Sequence, residues 1–275
     1  MASMESLDVS LLTVTHNEFK TYLPRCLASI DSFLDPGSYE EHIIWDNASG
    51  KEQVDWLRRL EKRRPKTRII YSKENLFDLP ALNEAVPLTD TGYILYLNSL
   101  SRLFNAFSLA KLVALLGSFK NAIMLGHPGP WVQGNDHTEP FWGCSAELLI
   151  ARGWLKETED WNTSHVQTWA FLLKKKEFLD TGGFRVKSRL FDSRWPELQF
   201  PESWSIQGKG DLMAAEVEFG VRARRMGYYL IFCGYHLFPA YHYVSGFLEP
   251  KELEAEDAKF GFPELPTLKN YLEET

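Results

Sequence analysis

Four short polar clusters each follow an apolar run, and they hold the side chains best placed to do chemistry. Thr15-His16-Asn17-Glu18 follows Val9-Ser10-Leu11-Leu12-Thr13-Val14, and Asp46-Asn47-Ala48-Ser49-Gly50 follows His42-Ile43-Ile44-Trp45. Glu74-Asn75-Leu76 comes just after Arg68-Ile69-Ile70-Tyr71, and Asn98-Ser99 closes Gly92-Tyr93-Ile94-Leu95-Tyr96-Leu97. Carboxylates, carboxamides and hydroxyls can together donate to and accept from a polar ligand, and a carboxylate can also take a proton. No G-x-G-x-x-G follows the first run, so a dinucleotide-binding dehydrogenase is not expected.

The elements that must carry these clusters follow from periodicity. The short β-branched runs bounded by polar residues read as strands buried on both faces, as in a parallel sheet. Tyr22, Leu23, Cys26, Leu27, Ile30 and Phe33 recur at helical spacing between the first two runs, which makes a β-α-β unit. Further helices are expected over Glu52–Arg64, stopped by Pro65, over Pro80–Val86 with proline in the first turn, and over Leu109–Phe119. The polar clusters therefore lie past the C-terminal ends of the strands, where open α/β sheets bind ligands.

The second half is less regular. Ala122–Gly126, Thr168–Leu173 and Tyr229–Cys233 read as strands, Lys174–Leu179 as a turn of helix, and Ala214–Met226 as a helix ended by Gly227. His127–Pro140 is a loop, and Arg185–Gly210 has the length and composition of a functional one. Glu249–Asp257 reads as a solvated acidic helix or a disordered tail.

At 275 residues and 44% hydrophobic content, one substantial core is within reach. A net charge of −7 argues against a generally basic nucleic-acid-binding surface. Three scattered cysteines, Cys26, Cys144 and Cys233, lack metal-ligand spacing and suit reduced core thiols. No signal peptide and no run of ~18 apolar residues is found, so a cytoplasmic protein without a transmembrane segment is expected.

Taken in order, these clusters resemble the nucleotide-binding half of the family-2 glycosyltransferases. The resemblance extends to Phe178-Leu179-Asp180-Thr181-Gly182-Gly183-Phe184, to Ala215-Glu216-Val217-Glu218-Phe219-Gly220-Val221-Arg222-Ala223-Arg224-Arg225-Met226-Gly227-Tyr228, and to Tyr241-His242-Tyr243-Val244-Ser245-Gly246. It implies an α/β fold of the GT-A, Rossmann-like type: a mixed, mostly parallel sheet flanked by helices in a single domain. Residues 1–7 would form an N-terminal tail and 248–275 an acidic C-terminal tail around a domain at 8–247, divided into a nucleotide-sugar-binding half (8–105) and an acceptor half (106–247).

The resemblance further implies an inverting transfer from a uridine- or guanosine-diphosphate sugar to an acceptor hydroxyl. Glu216 falls where the family has its catalytic base, with Asp211 and Glu218 as lesser candidates. Thr15, Asn17, Glu18, Asp46, Asn75, Asn83 and Asn98 would hold the nucleotide sugar. Gly182, Gly183, Trp204 and Asp211 would face the acceptor, and His242 would touch a metal or the diphosphate. Plainer readings stand beside these: Asp46 as a turn residue, Asn75 and Asn83 as turn and cap residues, Glu216 as a helix-N-terminal carboxylate, and His242 as a satisfied half-buried histidine.

One departure bears on the cofactor. Leu97-Asn98-Ser99-Leu100-Ser101-Arg102-Leu103 keeps Asn98 but has Leu100 where the family's metal-binding carboxylate belongs, and leucine cannot ligate Mn2+ or Mg2+. Three readings stay open: a metal held by the diphosphate, His242 and water; a metal-independent enzyme using Arg102, Arg185, Lys187 or Arg189; or a silent homologue that binds sugar nucleotide or glycan without turnover. A transferase acting on a modified nucleic-acid base, with Arg185–Trp204 as its groove, is a further alternative that the acidic net charge disfavours.

Overall fold

The computed structural model describes residues 7–128, 166–185, 216, 219–220, 222–223, 226–243 and 248–273. In chain order the elements are β1 (Val9–Thr15), α1 (Tyr22–Phe33), β2 (Glu41–Asp46), α2 (Lys51–Arg63), β3 (Thr67–Tyr71), α3 (Asp78–Ala85), β4 (Tyr93–Leu97), β5 (Ser101–Leu103), α4 (Leu109–Ser118), β6 (Ala122–Pro128), β7 (Val166–Lys174), α5 (Lys175–Asp180), β8 (Tyr229–Phe232), β9 (Ala240–His242), α6 (Pro250–Lys259) and α7 (Leu268–Leu272).

Every residue of β1 is buried, as an unbroken apolar run requires of a strand covered on both faces. The main sheet has seven strands in the order β3-β2-β1-β4-β7-β6-β8. β1, β2, β3 and β4 run parallel, with Thr15 beside Asp46 and Asp46 beside Tyr71, so their polar clusters share one edge. β7 lies antiparallel to both β4 and β6, and β6 pairs parallel with β8. That reversal sets the start of β7 against the end of β4: Leu97 pairs with Ala170, and Asn98 N donates to Trp169 O at 2.8 Å.

The helices bury one face each. Trp56, Leu57 and Leu60 of α2 pack with Leu23 and Leu27 of α1 and Ile44 of β2. α4 is capped by Ser108, whose hydroxyl accepts from Lys111 N at 3.3 Å. The expected short helix begins at Asp78, which puts Pro80 third in its first turn. Cys26 and Cys233 are buried thiols, as read, and no helix among the described residues is long and apolar enough to cross a membrane.

Two features were not expected. β5 and β9 form a separate antiparallel pair, each too short to show a period. The acidic stretch Glu249–Asp257 is helical from Pro250, one of the two readings, and mostly exposed, but it is also tied to the core: Leu253 is buried, and Asp257 pairs with the buried Arg102 at 2.6 Å. Arg25, also buried, lies 3.7 Å from Asp257 and donates to Pro250 O at 3.3 Å. The acidic character of α6 thus supplies countercharge to two arginines that would otherwise sit unpaired in the core.

Candidate functional site

The C-terminal edge of β1–β4 is tied together by a residue that sequence reading passed over. Gln53, in the first turn of α2, is 1% exposed, and its carbonyl accepts from Glu18 N at 2.6 Å and Phe19 N at 3.2 Å. Its amide donates to Asp46 Oδ1 at 3.0 Å and Ser49 Oγ at 2.8 Å, with Thr15 Oγ1 at 3.4 Å. On an amphipathic helix Gln53 looks like any surface polar residue. Its only sequence signal is its place one helical turn beyond the polar cluster that ends β2.

Asp46 is 1% exposed, and its second oxygen accepts from Ser49 N at 3.4 Å. Asn17 and Asn75 are exposed at the same edge. Asn17 Oδ1 accepts from Gly50 N at 2.7 Å, and Asn75 Oδ1 accepts from Asn47 Nδ2 at 2.8 Å. His16 Nδ1 lies 2.9 Å from Asn47 O, which fixes the proton on that nitrogen and leaves Nε2 to accept from Asn17 Nδ2 at 3.1 Å. Among the described residues, three of the four non-glycine residues with positive φ, Asn17, Ala48 and Phe77, follow β1, β2 and β3 respectively. Strained backbone of this kind gathers at functional sites.

Two carboxylates converge on the turn after β4. Glu18 is half-buried and accepts from Thr15 Oγ1 at 3.0 Å, His16 N at 3.3 Å and Ser99 Oγ. Burial first, and then the neighbouring Asp78 charge, push it up to about 7. Asp78, at the start of α3, accepts from Asn98 Nδ2 at 2.6 Å and is pushed by burial to about 6. Sequence reading missed Asp78. Asn98 Oδ1 accepts from Leu100 N at 2.8 Å, so its carboxamide is taken up by the turn.

The position that departs from the family pattern is apolar in fact as well as in sequence. Leu100 packs against Tyr22, Tyr241, Tyr243 and Leu253, and Tyr243 N donates to Leu100 O at 3.0 Å. His242 is half-buried beside Trp169, with ring centroids 5.8 Å apart, and burial pushes it down to about 4, so it is neutral. Among the described residues no group of three or more His, Cys, Asp or Glu could hold a metal ion. Leu100 itself therefore offers no oxygen to the divalent cation that the family resemblance implies.

Arg102 must also be withdrawn as a charge-neutralising group at the site. It is 1% exposed, faces Asp257, and lies over the Phe262 ring at 4.9 Å. A guanidinium so placed is balanced already.

Glu216 reaches this edge from the other half of the chain. Its Oε1 accepts from Thr168 N at 3.1 Å and from Thr168 Oγ1, near the start of β7 and the end of β4. It is half-buried, and burial pushes its carboxyl up to about 7. Phe219 and Ala223, helical like Glu216, are buried against Phe178 and Phe184 in the core, which fixes that face.

The glycine turn is clamped from two sides. Gly182 and Gly183 have φ of 80° and 65°, and Arg222 donates to Thr181 O and, at 2.6 Å, to Gly183 O. Asn83 Nδ2 donates to Phe184 O at 2.6 Å, and Asn83 Oδ1 accepts from Phe184 N at 2.9 Å. A Cβ on Gly183 would come within 2.4 Å of Asn83 Oδ1. Asn83, expected on the nucleotide, therefore has both ends of its carboxamide taken up by this turn. Trp204, Asp211, Glu218, Lys187, Arg189 and the rest of the Arg185–Gly210 stretch beyond the exposed Arg185 lie outside the described residues.

Residues 10–172 match the sequence profile of a family described as Glycosyl transferase family 2. No curated protein matches the chain. Among solved structures, the mannosyltransferase PcManGT from Pyrobaculum calidifontis, in complex with GDP-Man and Mn2+, is 14% identical with a TM-score of 0.54, over 83% of this chain and 55% of its own. GalNAc-T7 with UDP, GalNAc and Mn2+ is 15% identical with a TM-score of 0.56, over 82% of this chain and 42% of its own. The chain thus spans only about half the length of these structures, and at such identity the likeness is one of fold. That fold is the expected GT-A type, a mixed, mostly parallel sheet between helices.

Proposed function

The chain belongs to glycosyl transferase family 2, and on that premise we propose that it moves a sugar from a uridine- or guanosine-diphosphate sugar to an acceptor hydroxyl with inversion. One observation carries the reading: a half-buried carboxylate, Glu216, held by Thr168 at the same sheet edge as Asp46, Asn98 and Glu18. Glu216 would take the proton of the acceptor hydroxyl as that oxygen bonds to the anomeric carbon and the bond to the diphosphate oxygen breaks. Thr15, Asn17, Glu18, Asp46 and Asn75 form the nucleotide-sugar end, and Asn98, its carboxamide engaged by Asp78 and the Leu100 amide, holds the turn after β4. Gly182 and Gly183, in the clamped turn, belong to the acceptor side, to which the family resemblance also assigns Trp204 and Asp211. Mn2+ stands in the names of both structural relatives. Here the apolar packing of Leu100 favours leaving-group neutralisation by basic side chains, with Arg185 the described candidate.

Titration with UDP- and GDP-sugars tests the donor end. Wild type binds one class, and Asp46→Ala weakens that binding about 10- to 100-fold, as expected for a charged hydrogen bond worth ~1.5–3 kcal/mol. Equal affinity in Asp46→Ala, with the fold intact, would remove Asp46 from the site.

Glu18 makes the same binding depend on pH. Its folded pKa of about 7 means that it sheds its negative charge as pH falls through 7, and a diphosphate nearby favours that neutral form. Donor affinity should therefore strengthen from pH 8 to pH 6, by up to ~10-fold per pH unit where one proton is taken up. Glu18→Gln should flatten that slope, and calorimetry at three pH values would read it. An unchanged slope would place Glu18 away from the diphosphate.

The silent-homologue reading has the packing of Leu100 in its favour, and it predicts donor binding without turnover.

A further inference from the structure

Phe77, which caps the start of α3 with its carbonyl accepting from Ala81 N at 3.1 Å, carries two costs. Its backbone sits at φ 62° and ψ 175°, a region that glycine occupies freely and a bulky residue does not. The residue is 62% exposed, the highest value for a large hydrophobic among the described residues. The other two strained residues at this edge are easier to account for: Asn17 tolerates a left-handed backbone and bonds Gly50 N through its side chain, and Ala48 is small.

The strain is held in place by the candidate site. Phe77 N donates to Asn75 Oδ1 at 2.9 Å, and Asn75 accepts from Asn47, which follows Asp46. Leu76 N donates to Asn47 Oδ1 at 2.9 Å, and Asp78 accepts from Asn98. The residues on both sides of Phe77 are thus pinned to the crevice, while Phe77 itself is largely exposed.

Resting on the donor reading above, we propose that Phe77 is a stacking platform for the base of the nucleotide donor. Its hydrogen bonds join it to the ends of β2 and β3 through Asn75 and Asn47, although the next residue turns back to Asn98. Glu216 is anchored on β7, with β4 and β1 lying between it and β2. The ring therefore serves the flank of the crevice away from the reacting carboxylate, where a planar base offers the apolar face it can cover. A backbone already held in place by Asn75 needs less ordering when the base arrives, which is the return for holding a strained conformation.

The test uses Phe77→Gly, Phe77→Trp and two probes, the nucleoside diphosphate that wild type binds and base-free pyrophosphate. Phe77→Gly relieves the backbone, so its Tm should equal or exceed that of wild type. Its affinity for the nucleoside diphosphate should fall ~10-fold, within the range of base-on-aromatic stacking. Pyrophosphate binding should not change, and Phe77→Trp should bind the nucleotide as well as wild type. If Phe77→Gly binds the nucleotide as tightly as wild type, or more tightly, the platform is overturned while the donor reading stands. A lowered Tm with unchanged affinity would assign Phe77 a structural role and also overturn it. If wild type binds no nucleoside diphosphate or nucleotide sugar, the donor reading fails and the platform fails with it.

Discussion

Glu216→Gln should abolish most turnover while leaving donor binding intact. Removing a general base costs roughly 10²- to 10⁴-fold in rate, and glutamine keeps the size and the acceptor that Thr168 bonds. The pH profile gives a second signature. Burial holds the Glu216 carboxyl at about 7, so the rate should fall as pH drops below 7, where the base is protonated. The variant should lose that limb along with the activity. Unfolding is not a competing explanation. A carboxyl whose folded pKa is raised from 4.5 stabilises the native state at low pH and loses that contribution as pH rises through about 7. Glutamine escapes the loss, so Glu216→Gln should match or exceed wild-type stability above pH 7. Steady-state kinetics from pH 5.5 to 9 with parallel thermal melts would separate the two effects. A variant with full activity would dismiss Glu216 as the base.

Asp257→Ala should bring the largest loss of stability. Arg102 is 1% exposed and meets Asp257 at 2.6 Å, Tyr243 Oη donates to the same carboxylate oxygen at 2.6 Å, and Arg25 lies nearby. Truncation leaves buried guanidinium charge uncompensated, which costs about 3–5 kcal/mol. For a chain of this size that is a fall in Tm on the order of 10 °C. Adding Arg102→Met should recover much of it, because an apolar side chain needs no countercharge in that cluster. Circular-dichroism melts of the single and double variants would show this. A drop of only a degree or two would mean that α6 contributes little to the core. The variant bears on the site as well, because Leu100 and β5 pack under α6 and lead directly from Asn98.

The parallel half was readable in the sequence because each of its signals is local. The apolar runs of β1, β2 and β4 and the periods of α1, α2 and α4 each lie within a dozen residues or so, and the polar residues after each strand mark one edge. What could not be read depends on contacts between distant residues. Asn83 meets Phe184 across 101 residues and Glu216 meets Thr168 across 48, and neither pairing leaves a local trace. Arg102 stands in the sequence among the candidate neutralising cations because a buried arginine is recognised only by its partner, and Asp257 lies far along the chain. Gln53 and Asp78 stand on helices in ordinary polar positions, and their importance comes from the hydrogen bonds they make at the end of the sheet. Phe77 looks like an unremarkable aromatic until its φ is known.

The most direct measurement is release of nucleoside diphosphate from UDP- and GDP-sugars by wild-type protein, with and without Mn2+, beside Glu216→Gln in the same assay. The account predicts slow donor hydrolysis by wild type that Glu216→Gln loses, with little response to Mn2+ because Leu100 offers no ligand. Donor bound tightly with no release under either condition, even with acceptors supplied, would contradict transfer and leave a silent binder in its place.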